Sequence, residues 1–475
     1  MKNKSIILLC TLFISIAASA QKTKKSVLDQ LDAQSEKYGA IAMKIWNLAE
    51  MGYLEEQSSS LLQQTLSNEG FTIKKGVANI PTAFIAEYGS GLPIIAILGE
   101  FDALPGLSQQ ALPEKKSANA EAGHACGHHL FGTASSAAAI AVKEWMENTK
   151  QKGTIRFYGC PAEEGGGAKV YMAREGLFDD VDIALHWHPG SQNAASAAAA
   201  LANISAKFRF YGVSAHAAGA PEKGRSSLDG VEAMNAMVNM MREHVPQEAR
   251  IHYVITDGGK APNVVPDFAE VYYYSRHYSR EVVRSIFNRI VKAGEGAALG
   301  TGTTMKYEIV NGVHELLPNL TLQKLVHDNL TSIGGITYSP EEKEFADKIA
   351  LSLGQKEADI DRALSVQPYK EEARAYGSTD VGDVSFVVPT VGFGTATWVP
   401  GTSAHSWQAV AAGGTTIGQK GMMVAAKTLT ATAIDLFKNK ELIEKATVEF
   451  NNRRGKNFIY KPLLGNRPPA LDYRK

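Results

Sequence analysis

The sequence predicts an α/β protein: a mostly parallel sheet with helices on both faces, interrupted by an inserted α+β unit. Continuous apolar strands such as Pro93-Ile-Ile-Ala-Ile-Leu98 alternate with helical patterns, which is how a sheet buried on both faces reads. Between 203 and 313 the order becomes β-α-β-β-α-β, that of a ferredoxin-like antiparallel sandwich. A length of 475 residues exceeds one ordinary core and fits two units.

The elements follow in order. Lys2 and Lys4 precede an apolar run over 6–17, and Ala18-Ser19-Ala20 before Gln21 has the form of a cleavage site, so residues 1–20 read as a secretory signal peptide. The run is short for a membrane span. A lipoprotein reading through Leu8-Leu9-Cys10 is weak, because Leu9 is bulky where a small residue is expected and the apolar run continues past the cysteine. Leu28, Leu31, Tyr38, Ile41, Ile45 and Leu48 recur at helical spacing and predict a helix over 27–50. A strand over 93–98, an Ala-rich buried helix over 130–146, and strands over 154–158 and 181–185 continue the first unit, 21–202. In the insert, 203–313, strands are expected over 204–211, 251–256, 270–275 and 305–310, with helices over 226–244 and 280–299. The first unit resumes over 314–450. Residues 451–475, rich in Arg, Lys and Pro, read as a loosely ordered tail.

The composition is that of an ordinary soluble globular protein, 44% hydrophobic and 21% charged. Basic and acidic side chains balance at 49 each. Nothing in that balance suggests nucleic acid or an anionic membrane surface. Of the three cysteines, Cys10 leaves with the leader. Cys126 and Cys160 could pair in an oxidising compartment. Cys126, however, stands between His124 and His128 in a glycine-flanked loop, which favours a thiolate metal ligand. Cys160 ends an apolar strand and is expected to be buried and inert.

Several segments place ligand-type residues beside glycines or at turns: Gly-His-Ala-Cys-Gly-His-His at 123–129, Pro-Ala-Glu-Glu-Gly-Gly-Gly at 161–167, His-Trp-His-Pro at 186–189 and Gly-Thr-Ser-Ala-His-Ser at 401–406. Cys, His and Glu from separate loops form a mixed S/N/O set suited to a transition metal such as Zn or Mn. In Glu163-Glu164 one carboxylate can bind metal while the other works as general base. His186 and His188 alternate on a strand end and point to opposite faces, so one of the two is expected at the metal. Asp102, after an apolar strand, suits a carboxylate that orients a ligand histidine, against the plainer reading of a turn aspartate. These residues predict a metal-activated hydrolase.

Together with Phe-Asp-Ala-Leu-Pro at 101–105, Gly-Val-Ser-Ala-His-Ala-Ala at 212–218, Pro-Asn-Val-Val-Pro at 262–266, Gly-Arg-Ser-Ser-Leu-Asp at 224–229 and Ser-Thr-Asp-Val-Gly-Asp-Val-Ser at 378–385, these motifs resemble the metallopeptidase and amidohydrolase family of aminoacylase, carboxypeptidase G and the auxin-conjugate hydrolases, and within it the branch of the aminobenzoyl-glutamate hydrolase B-subunit. The resemblance spans nearly the whole mature chain. It implies Cys126, His128, Glu164, His188 and His405 as ligands of two divalent metal ions, Zn or Mn, with Glu163 as general base. His188 is preferred to His186 by its spacing from Asp182. The resemblance further implies that His216 and Asn263 stabilise the oxyanion, His216 across a dimer interface, and that Asn263 and Arg276 hold the substrate. Glu100 stands where many relatives carry a metal-binding histidine, a departure shared by the amidohydrolase branch. The implied function is hydrolysis of N-acyl amino acids by a homodimer, or a heteromer with a paralogous subunit, in a bacterial periplasm. The alternatives are a dipeptidase or carboxypeptidase on the same fold, and a partner subunit without turnover.

Overall fold

The computed structural model describes residues 23–474; the leader expected over 1–20 lies outside the described residues. A six-stranded sheet forms the centre, in the spatial order Thr72–Lys75, Phe84–Ser90, Gly153–Cys160, Ile94–Glu100, Ile183–Leu185, Thr390–Val391. The last four strands run parallel, and the first two add an antiparallel edge that the sequence reading did not anticipate. Ile94–Glu100 is buried throughout, and its side chains alternate between two cores, with Ile95 and Ile97 on one face and Ala96 and Leu98 on the other. That alternation requires cover on both sides. His128–Thr149 and Thr416–Lys438 pack in the first core, and Ala168–Arg174 and Val381–Ser385 in the second.

The expected helix over 27–50 is two helices, Lys24–Ala33 and Ser35–Leu48, broken at Gln34. Lys24–Ala33 lies mainly against Thr416–Lys438 and Ser35–Leu48 mainly against His128–Thr149, each also touching the other's main neighbour, so the bend lets one apolar stripe follow two helices.

Residues Ala202–Val313 build a second, four-stranded antiparallel sheet in the order Arg250–Asp257, Phe268–His277, Ala202–Tyr211, Thr304–Val313. Ser227–Met241 and Arg280–Thr301 cover one face, burying Phe208, Phe210, Val271 and Tyr273 against Met234, Val238, Phe287 and Ile290. This is the expected β-α-β-β-α-β order. The helix predicted over 226–244 ends as a 3₁₀ turn, Arg242–His244.

The expectation of a loose tail is corrected by the packing. Lys440–Arg454 is helical, and the following segment runs back across both units with Leu463 and Leu464 buried. Arg174 Nη1 donates to the carbonyl of Arg467, Tyr171 donates to that of Pro468, and Arg467 Nη1 donates to that of Val310. The proline-rich composition suited an extended strap whose polar backbone is satisfied by neighbours rather than by a ladder.

Candidate metal centre

Parallel strands end along one edge of a sheet, and ligand sites collect there. Glu100 ends one strand, with Asp102 just after it. Glu163 and Glu164 follow the strand ending at Cys160, and His188 follows Ile183–Leu185. The loop carrying Cys126 turns at Gly127, whose φ of +74° places its hydrogens where a side chain would strike Pro189. His128 opens the next helix.

The ligand atoms of Cys126, His128 and His188 lie within 4.8 Å of one another, and so do those of Cys126, Glu164 and His405. Either triad could hold a cation, and Cys126 belongs to both. His188 Nδ1 is engaged by its own neighbour's carbonyl, Pro189 O, at 2.7 Å, which leaves Nε2 facing Cys126 Sγ at 3.4 Å. His128 Nδ1 meets Asp102 Oδ1 at 2.8 Å, and Asp102 Oδ2 accepts the Glu164 backbone N–H at 2.9 Å. One aspartate thus orients a histidine and a glutamate of the same cluster, the arrangement that fixes a ligand histidine's ring and tautomer. His128 Nε2 and Glu164 Oε1 are buried without a hydrogen-bond partner, although His405 Nε2 is 2.9 Å from Glu164 Oε1 and Glu100 Oε2 is 3.1 Å from His128 Nε2. Converging ligand atoms, of which His128 Nε2 and Glu164 Oε1 are left unpartnered in the interior, fit a divalent cation among them.

The remaining motif histidines go to structural contacts. His124 Nε2 and His129 Nε2 bond the carbonyls of Ile45 and Gly413, each at 3.0 Å. His186 is half-buried, with its ring against Gly392, and belongs to none of the ligand triads. Cys126 and Cys160 are both free thiols. Burial raises both, and Cys160 is pushed up to about 12, which keeps it a thiol.

Burial, with Glu100 and Glu164 close by, raises Glu163 well above the usual carboxylate range. Its carboxylate also lies within 4.8 Å of ligand atoms of Glu100 and His128. Glu100 is engaged on its other side by Lys169 Nζ at 2.7 Å, and Lys169 reaches Asp380 at 2.6 Å, an ion triad with almost no solvent exposure. Motif reading missed Lys169. Its signal was a lone lysine in the apolar run after three glycines.

A cavity of about 680 Å³ opens over the cluster, lined by Cys126, Glu163, Glu164, His188 and His405 and also by Arg276. Arg276 Nη1 donates to Ser378 Oγ at 3.3 Å. His216 and Asn263 are exposed and sit together on the insert, where Ala217 N–H donates to Asn263 O at 3.0 Å. Neither lines this cavity within one chain.

The sequence matches the model of peptidase family M20/M25/M40 over residues 96–409. The chain belongs to this family. It is 40% identical to the B-subunit of p-aminobenzoyl-glutamate hydrolase from Escherichia coli, over 95% of this chain and 99% of that one. Mouse Xaa-Arg dipeptidase is 29% identical over 92% and 94% of the two chains. Among solved structures, a dinuclear metal-binding M20 peptidase from Bacillus subtilis superposes with a TM-score of 0.58 at 17% identity, covering 86% of this chain and 99% of that one. As an M20 protein the chain is a metal-dependent amidohydrolase or peptidase, and its fold is that of solved M20 structures.

Proposed function

We propose that this chain hydrolyses the amide bond of N-acyl amino acids of the aminobenzoyl-glutamate type, at a centre of two divalent cations, Zn or Mn. The observation that carries this reading is the pair of ligand triads sharing Cys126 beside Glu163. Cys126, His128 and His188 would hold one ion, and Cys126, Glu164 and His405 the other. When bound, the ions polarise the scissile carbonyl and acidify the attacking water.

Glu163 takes the proton from that water and delivers it to the leaving amine, a relay for which a raised carboxyl pKa is suited. Arg276 holds the substrate carboxylate through its guanidinium fork. His216 and Asn263 stabilise the oxyanion from a second copy. Support for such pairing comes from the edge strand Arg250–Asp257, which leaves Tyr253, Val254 and Ile255 exposed beside unpaired backbone. The Escherichia coli relative is named as one subunit of its hydrolase, which favours a second reading in which the partner is a paralogous chain. The N-terminal pattern supports export to a periplasm. No helix among the described residues is long and apolar enough to cross a membrane.

The test is hydrolysis of a panel of N-acyl amino acids and free dipeptides with added Zn or Mn. Preferential cleavage of the N-acyl compounds, abolished by chelation and restored by metal, is expected. Preference for free dipeptides would replace this reading with the dipeptidase one.

A further inference from the structure

The strap after Lys440–Arg454 does more than join the two units, because its Arg474 lines the cavity. Tyr473 packs edge-on against Tyr53 at 5.5 Å between ring centroids, and its hydroxyl donates to the Glu164 carbonyl at 3.3 Å. Arg474 lies over the Tyr473 ring and donates through Nη2 to the same carbonyl at 2.7 Å. Arg474 is a lining residue of the cavity, as Arg276 is. Each of these arginines keeps a buried Nε with no partner, and among the described residues no carboxylate forms an ion pair with either.

A partly buried guanidinium without a counter-ion carries a desolvation cost that an anionic ligand offsets. Two such groups lining one cavity call for two anionic groups on one ligand. The buried Asn203 Oδ1, also unpartnered and lining the cavity, adds an acceptor for a donor such as an amide N–H.

We propose that Arg474 is a specificity residue that binds the side-chain carboxylate of an acidic amino-acid portion, while Arg276 takes the α-carboxylate. The inference rests on the amide-hydrolase reading. It adds that the strap, not only the insert, selects N-acyl dicarboxylates over their neutral analogues.

The experiment compares wild-type, Arg474→Ala and Arg474→Lys metalloenzymes on 4-aminobenzoyl-glutamate and 4-aminobenzoyl-glutamine. Calorimetry with N-acetylglutamate and N-acetylglutamine provides a second readout. Loss of a charge-assisted hydrogen-bonded pair should lower the ratio of kcat/KM for the diacid to that for the amide by about 10- to 100-fold in Arg474→Ala. Arg474→Lys should restore part of the ratio, and the calorimetric preference for the diacid should fall with it. An equal loss on both substrates would make Arg474 a mere support for Glu164 and overturn the proposal. So would an unchanged ratio, or a gain on both substrates, which would mark the strap as a plug. If the wild type cleaves neither compound, the amide-hydrolase reading fails instead, and the binding preference still decides the role of Arg474.

Discussion

At the residue scale, Glu163 and Glu164 are neighbours with different surroundings. Glu164 is tied by its backbone N–H to Asp102 and faces His405, whereas Glu163 is raised by burial and by adjacent carboxylates. Glu163→Gln should retain bound metal and lose about two to four orders of magnitude in turnover, the usual cost of removing a general base. Metal analysis beside kinetics checks this, and loss of metal in step with activity would exchange the roles of the two glutamates. Cys126→Ser should lower the stoichiometry of both ions together, because its thiol belongs to both triads and a hydroxyl is a poor ligand. Loss of a single ion would confine Cys126 to one triad. Motif spacing made the ligand types legible here. Strand alternation by itself left His186 and His188 undivided, and only the resemblance's spacing from Asp182 favoured His188; in the fold one ring meets Gly392 and the other Cys126.

At the scale of elements, the strap is anchored where His314 Nε2 meets the Lys461 carbonyl at 3.0 Å. Burial, aided by Arg280, lowers His314 to about 3. Its folded pKa lies below its unfolded value, so the unfolded chain binds more protons between the two. Stability from this group is therefore full above pH about 6.5 and declines as pH falls toward about 3. His314→Gln, which preserves a donor near Nε2, should show a shallower loss of urea midpoint from neutral to acidic pH than the wild type. Parallel pH profiles would remove His314 from the account of acid sensitivity. The long elements of the parallel half and of the insert were legible because their periodicities are strong. The antiparallel edge was not: Thr72–Lys75 is short and mostly exposed, and Phe84–Ser90 runs from buried to exposed without a period, so both are specified by the neighbours that complete their ladder. The break at Gln34 is likewise a response to two packing partners, and a helical repeat carries no mark of it.

At the scale of the whole molecule, one chain assembles the metal cluster and Arg276, but leaves His216 and Asn263 exposed on the insert, away from the cavity. A two-fold pairing that sends His216 into a partner's cavity predicts complementation. Glu163→Gln and His216→Ala should each be nearly inactive alone. Refolded together with random exchange, about half the dimers are mixed, and each has one intact site of two, so about a quarter of wild-type activity should return. No recovery after confirmed subunit exchange would place His216 in its own chain's site or outside catalysis.

The order of elements, the two-unit plan and the ligand types of the metal cluster were set by local chemistry: periodic burial, glycine-flanked turns and residues with donor atoms at strand ends. Those properties belong to neighbours along the chain, so a linear reading captures them. Tertiary structure alone decided that Cys126 is common to two triads, that Lys169 bridges Glu100 and Asp380 in the interior, and that Arg474 lines the cavity. Each of those relations joins residues distant in sequence. Their energies arise from desolvation and geometry that exist only once the sheet, the insert and the strap have packed together.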